Sequence, residues 1–282
     1  MALTIALVAL WAPRVIRSGR APYYWVLPFA VSVVAALDCR IIDARGLAAL
    51  AVLALACIVS RAPYARSLKI AAHVVMLATS AALLLHVVPG FNNPIVIDRV
   101  VLGPGAEPYS KYLNFDKGVV GLFLLGIYAP ERPALDEGPQ HIGGVVWRFA
   151  VLVAVVMALT LAGGYVRWDP KLPPWWPMWL WSMVFLTALP EEAIFRGVAQ
   201  SWIARRLGGT PRAAIAAALI VGVLFGVAHL AGGLSYVVLA AAAGIGYGWI
   251  YARTRSIGAA IAVHTGLNAV HFFFFTYPSL AA

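Results

Sequence analysis

The chain has 282 residues, of which 62% are hydrophobic and only 11% charged, whereas a soluble domain carries about 25% charged residues. That balance excludes a soluble globular enzyme and identifies an integral membrane protein. The formal net charge of +10 does not signal nucleic acid: Lys and Arg stand mostly between apolar runs, where they set membrane orientation, and no nucleic-acid-binding motif is present.

The first residues, Met1 to Trp11, are apolar, but Arg14, Arg17 and Arg20 follow them rather than precede them. That order is wrong for a cleavable signal peptide, so the segment reads as a short anchor or interfacial helix. Apolar runs then recur at 23–37, 46–60, 70–88, 118–129, 143–165, 178–203, 213–230, 234–251 and 257–277. A span needs roughly 20 apolar residues. The runs are continuous, whereas a closed barrel shows alternating segments. They predict an all-α, polytopic transmembrane helical bundle of about eight or nine spans, with a helix core toward the C-terminus. Cys39 and Cys57 form no disulfide framework and no metal spacing.

Two loops stand out. Residues 89–117 hold Pro-Gly, Asn-Asn-Pro and Gly-Pro-Gly turn signals and end in the polar run Tyr112 to Lys117. Residues 167–177 hold Pro173, Pro174 and Pro177 with Trp175 and Trp176. These tryptophans, with Trp179 and Trp181, are expected at the headgroup level. No internal repeat is visible. The chain divides into an N-terminal transmembrane region, 1–142, without an assigned role, and a region 143–282 that carries the chemistry.

The chemistry begins at Pro190-Glu191-Glu192, inside the apolar run 178–203. A carboxylate in a span costs several kcal/mol, so such groups mark function by default. On a helix, Glu192 and Arg196 are four apart and share a face, which suits a compensating ion pair. Glu191 is rotated about 100° away, which leaves it to hold a water and take its proton. Pro190 disturbs the backbone just before the pair and makes room for water. A purely structural salt bridge explains Glu192 and Arg196 but not Glu191.

Next, Phe225 and His229 share a helix face at i, i+4, and Gly222 with Gly226 forms a GxxxG that admits a neighbouring helix closely. Alone, His229 reads equally well as a polar cap. Finally, His264 and Asn268 share a face within an apolar run. Both donate hydrogen bonds, which suits an oxyanion site; the competing reading is hydrogen-bond glue between helices. His271, further along the same helix, fits either the site or an interface. Gly244 and Gly248 form a second GxxxG between these motifs. Jointly, the Glu, His, His and Asn side chains on three apolar helices fit hydrolysis of a peptide bond by activated water.

The ordered set Glu191-Glu192-x-x-x-Arg196, Phe225-x-x-x-His229 and His264-x-x-x-Asn268 resembles the signature of the CPBP family, the CAAX prenyl protease and bacteriocin-processing (Abi-like) intramembrane endopeptidases. The resemblance covers roughly residues 178–275. It implies a hydrolase, an intramembrane endopeptidase acting near the C-terminus or in the leader of a membrane-associated protein or peptide. By the resemblance, Glu191 activates water with His229, Glu192 and Arg196 organise the site, and His264 with Asn268 forms the oxyanion hole. No cofactor is expected. The alternative is a zinc enzyme with Glu191, His229 and His264 as ligands, against which stands the absence of an HExxH helix. A further alternative is a non-catalytic membrane scaffold or immunity protein. The expected setting is a bacterial inner (cell) membrane, with the lipid bilayer and a membrane-bound substrate as partners and no nucleic acid. The 86–91 stretch and the 112–117 run lie outside the signature and receive no catalytic role.

Overall fold

A computed structural model describes residues 1–10, 24–128 and 139–281, with side chains from residue 142 onward in the last segment. The arginines at 14, 17, 20 and 132 and the first residue of the expected 23–37 span lie outside the described residues.

In chain order the helices are α1 (Ala2–Ala9), α2 (Val26–Asp38), α3 (Ala44–Arg61), α4 (Arg66–Leu84), α5 (Phe115–Phe123), α6 (Pro139–Ala162), α7 (Trp176–Met183), α8 (Leu189–Glu192), α9 (Ser201–Arg206), α10 (Pro211–Val227), α11 (Gly233–Thr254) and α12 (Ile257–Phe274). The architecture is the expected helical one. Among the described residues, five stretches are long and apolar enough to cross a membrane: Ala44–Arg61, Arg66–Leu84, Ile142–Ala162, Leu230–Thr254 and Ile257–Phe274. Val26–Asp38 and Pro211–Val227 are apolar but shorter. Large apolar side chains stand exposed along them, Leu27, Val74, Val155 and Val223 among them, as expected where lipid rather than water is the solvent.

Sequence-local rules set the helix starts. Asp43 accepts from the amides of Arg45 and Gly46 to begin α3. Thr210 accepts from Ala213 N, with Pro211 at the first helical position, to begin α10. Ser256 accepts from Ala259 N to begin α12. Each side chain satisfies an otherwise orphaned N–H.

Two expectations are revised. The 178–203 run is not one regular helix: π-helical turns occupy Val184–Ala188 and Ala193–Gln200 on either side of α8. Pro190 removes an amide donor there, and π turns concentrate at functional sites. The 89–117 loop contains a strand pair, Ile95–Val100 with Tyr109–Tyr112: β-branched Ile95, Val96, Ile97 and Val100 precede the Gly-Pro-Gly turn and the aromatic Tyr109 and Tyr112 follow it.

The chain forms two compact units that interleave in sequence: residues 1–94, 112–132 and 185–194, and residues 95–111, 133–184 and 195–282. In the first, α5 packs against the α8 segment. A Cβ at Gly121 would meet Leu189 Cδ2 at 2.4 Å and Pro190 Cα at 3.1 Å, so the absent side chain lets the glutamate-bearing turn sit close to α5. In the second, α10 and α11 pack through their glycines. A Cβ at Gly226 would meet Val237 O at 2.5 Å, and one at Gly222 would meet Ile245 N at 2.6 Å. Both GxxxG readings hold: Gly244 faces Gly222 O and Phe225, and Gly248 faces Gln200 and Ala218.

Trp179 corrects the headgroup assignment. It is fully buried and stacks on Phe272 with ring centroids 3.9 Å apart, inside a cluster with Tyr109, Met183 and Tyr277. Trp175 and Trp176 pack on Phe272 and Phe273. An interfacial composition was therefore used partly as core, because aromatic side chains supply the largest buried area per residue.

Candidate active site

In the first unit, Glu191 and Glu192 are both buried, at 8% and 0% exposure, so neither is a solvated surface charge. The Lys117 ammonium stands 3.8 Å from Glu191 Oε1, and both side chains are largely buried. Lys117 was visible in the sequence only as the last residue of a polar run. Nothing in a period or motif links it to a glutamate 74 positions away in the chain.

In the second unit, the Arg196 guanidinium is fully buried. It donates from Nη2 to the Gly244 carbonyl at 3.1 Å and lies against the rings of Phe225, Tyr247 and Phe195, with centroid distances of 5.3, 5.7 and 5.8 Å. The aromatic faces provide a cation–π environment in place of water. Two motif histidines gather at the same rings. Phe225 lies 4.6 Å from the His229 ring and 5.8 Å from that of His264. Tyr247 stacks on His264 at 4.5 Å and 14°. Arg196, His229 and His264 thus meet around Phe225 and Tyr247. The second GxxxG is part of the cause, since Gly244 brings α11 against Phe225.

His229 follows the end of α10, half-buried, with its Nδ1 2.7 Å from the Phe225 carbonyl. A carbonyl only accepts, so Nδ1 carries the proton, and in the neutral ring Nε2 is left as the acceptor. A main-chain oxygen fixing one ring nitrogen is the usual way a protein sets a histidine for proton transfer. His264 is buried in α12. Asn268, one turn on and half-buried, donates from Nδ2 to Met183 Sδ at 3.3 Å. Thioether sulfur is a weak acceptor, so a carbonyl oxygen bearing developing charge competes well for that donor.

His271 belongs elsewhere. Its Nε2 is 3.1 Å from the Thr276 carbonyl and its ring packs on Tyr277. Tyr247 is the side chain that sequence reasoning passed over in this unit. Its one signal was an aromatic residue between the two glycines of the 244–248 pair, a pattern as common in plain helix packing.

Among the described residues, no group of three or more His, Cys, Asp or Glu side chains is arranged to hold a metal ion.

Residues 173–270 match the family of type II CAAX prenyl endopeptidases, Rce1-like. The matched segment contains all six motif residues from Glu191 to Asn268 and leaves out the residues before Pro173. No curated protein and no solved structure matches the chain. Over that segment the chain is similar to the CAAX prenyl endopeptidases, and its long apolar helices are those of a membrane protein.

Proposed function

We propose that this CAAX-protease-type domain hydrolyses a peptide bond of a membrane-associated protein or peptide with a water activated by Glu191. The observation that carries the reading is a buried pair of glutamates within the matched segment. A buried carboxylate is expensive to keep and is retained where it does chemistry.

In this mechanism Glu191 takes a proton from the attacking water, as a carboxylate general base does. The water oxygen bonds to the scissile carbonyl carbon, and the carbonyl π electrons move to its oxygen. His264 and Asn268 donate to that oxyanion, as fixed donors aimed at developing charge. The accepted proton passes to the departing amine with His229 as the shuttle, and the C–N bond breaks to leave an acid and an amine. Glu192 and Arg196 hold the surrounding polar groups. The aromatic seat of Arg196 and the carbonyl bond on His229 support these assignments, because each group is held in one orientation before substrate arrives.

The mechanism is metal-independent, and the protein acts in a bacterial cell membrane on a C-terminal tail, a CAAX-like end or a leader peptide. The test compares native membranes of wild type and Glu191→Gln by N-terminal and C-terminal proteomics. A set of peptide ends lost in the folded variant identifies the substrate. Unchanged ends, with the variant present at its normal level, would sink the proposal and favour a scaffold or immunity role.

A further inference from the structure

The first unit holds a cavity of about 410 Å3, lined by His86, Val88, Phe91, Asn92, Asn93, Tyr112, Asn114 and Asp116. None of these residues lies in the matched 173–270 segment. Three features indicate a built site: a buried, engaged carboxylate, an oriented imidazole and a carboxamide left to the cavity. Asp116 is 1% exposed, yet its carboxylate is fully engaged: Oδ2 lies 2.7 Å from His86 Nδ1, and Oδ1 accepts from Asn93 Nδ2 at 3.0 Å and from Lys117 N at 2.9 Å. A carboxylate so placed orients an imidazole, and it turns the other ring nitrogen, Nε2, over to whatever enters. His86 sits at φ 57° just past the end of α4, where Val87 N bonds to the Ala82 carbonyl and His86 N to that of Leu83, the left-handed close of a helix that sets the ring at the cavity mouth. Finally, Asn114 precedes α5 at the position where its side chain would ordinarily cap the helix, but it makes no capping bond. Asn93 Oδ1 accepts the Phe115 amide instead, at 2.8 Å, which leaves the Asn114 carboxamide to the cavity it lines.

The lining also selects a class of ligand. It contains no Lys or Arg to hold a phosphate or carboxylate. Its one carboxylate is committed to His86, Asn93 and Lys117, so nothing remains for a cation. Carboxamides, a phenol and an imidazole nitrogen recognise neutral groups that both donate and accept, with Phe91 and Val88 to cover apolar surface. The volume falls in the range of about 300–1,000 Å3 that encloses a small ligand. Position supplies the source. Asp116 and Lys117 are consecutive in the first turn of α5, and Lys117 reaches to within 3.8 Å of Glu191. A group in the cavity therefore lies one helix residue from the partner of the proposed base.

We propose that this cavity is a recognition subsite for a hydroxyl- or carboxamide-bearing side chain of the peptide substrate. The inference rests on the peptidase reading of Glu191 for its source, and on the cavity alone for its chemistry.

Binding is tested apart from turnover, in full-length Glu191→Gln protein in detergent micelles with labelled histidine. The His86 ring resonance is assigned by its loss in His86→Asn. The probes are N-acetyl methylamides of Ser, Thr, Asn, Gln, Asp, Lys and Leu, with methyl glucoside as a sugar control. The expected result is a saturable His86 shift with the four neutral polar derivatives, weakened about tenfold by Asn114→Ala. No shift with any probe, equal shifts with Asp, Lys or Leu, or saturation by the glucoside alone each overturns it. A second arm uses wild-type enzyme and a synthetic peptide library. His86→Gln is expected to lower kcat/KM about tenfold for peptides with Ser, Thr, Asn or Gln at one fixed position, and to spare those with Leu there. A uniform loss across the library overturns the subsite. A wild type that cleaves nothing defeats the peptidase reading, and the resonance shifts then decide the cavity by themselves.

Discussion

A close helix approach in the second unit makes a quantitative prediction that needs no substrate. Gly226→Ala adds a methyl group where a Cβ would lie 2.5 Å from Val237 O, 2.6 Å from Ala241 Cβ and 2.9 Å from Ala241 N. Ordinary contact begins near 3.4 Å, so α11 must retreat by roughly half an ångström or more, and two of the three obstructing atoms are backbone. Overpacking of this kind costs about 1–3 kcal/mol. For a chain of this size that lowers the melting temperature by roughly 2–12 °C, at about 2–4 °C per kcal/mol. Gly143→Ala is the control: nothing lies within 4 Å of its Cβ position in α6. Alanine there improves helix propensity by about 0.8–1 kcal/mol and should raise the melting temperature slightly. The two variants, melted side by side in one detergent, should move in opposite directions. Phe225 precedes Gly226 and packs on Arg196, His229 and His264, so Gly226→Ala should also lose activity out of proportion to the fraction unfolded. A Gly226→Ala protein that melts at or above the wild-type temperature would refute the claim that this contact sets the helix spacing.

Lys117→Met removes the cation beside Glu191; cleavage should fall about tenfold or more, as for loss of a buried charge partner, with partial recovery in Lys117→Arg. Tyr247→Leu should lower kcat more than it raises KM, since it removes the face on which His264 stacks, and Tyr247→Phe should keep most of the activity, as a kinetic comparison of the two will show. Activity should survive exhaustive chelation, and elemental analysis of the purified protein should find no stoichiometric zinc; loss on chelation with recovery on added zinc would revive the alternative ligand set. Burial pushes the Tyr109 phenol up to about 12 and raises that of Tyr277 well above its usual value. The folded state then holds protons that the unfolded state releases near pH 10, so stability is intact below pH 10 and falls between about pH 10 and 12. Melting curves over that interval should flatten in Tyr109→Phe.

Several features were legible from local sequence because their causes are local. Span composition reflects the solvent and needs no partner. The capping residues Asp43, Thr210 and Ser256 act within three positions. Gly222 and Gly226 announce close approach by spacing alone, and the structure puts α11 against them. The i, i+4 pair Phe225 and His229 indeed lies on one face, rings 4.6 Å apart. The register changes around Pro190 were only half legible. Proline signals a disturbed helix, but whether the backbone kinks, breaks or widens into π turns depends on what packs against it.

By itself the sequence determined that this is a membrane protein and that it is helical, and it set six polar side chains apart within apolar helices. These follow from composition, period and short spacing. Tertiary structure alone decided the rest. It grouped the Phe185–Ile194 stretch with the N-terminal residues and brought Lys117 to Glu191. It bound His86 to Asp116 across 30 positions, stacked Tyr247 on His264 and sank Trp179 into a core. The physical reason is common to all five. Contacts between residues far apart in the chain leave no periodic trace, because their geometry is set by how whole helices pack and not by the rise and turn of any one of them.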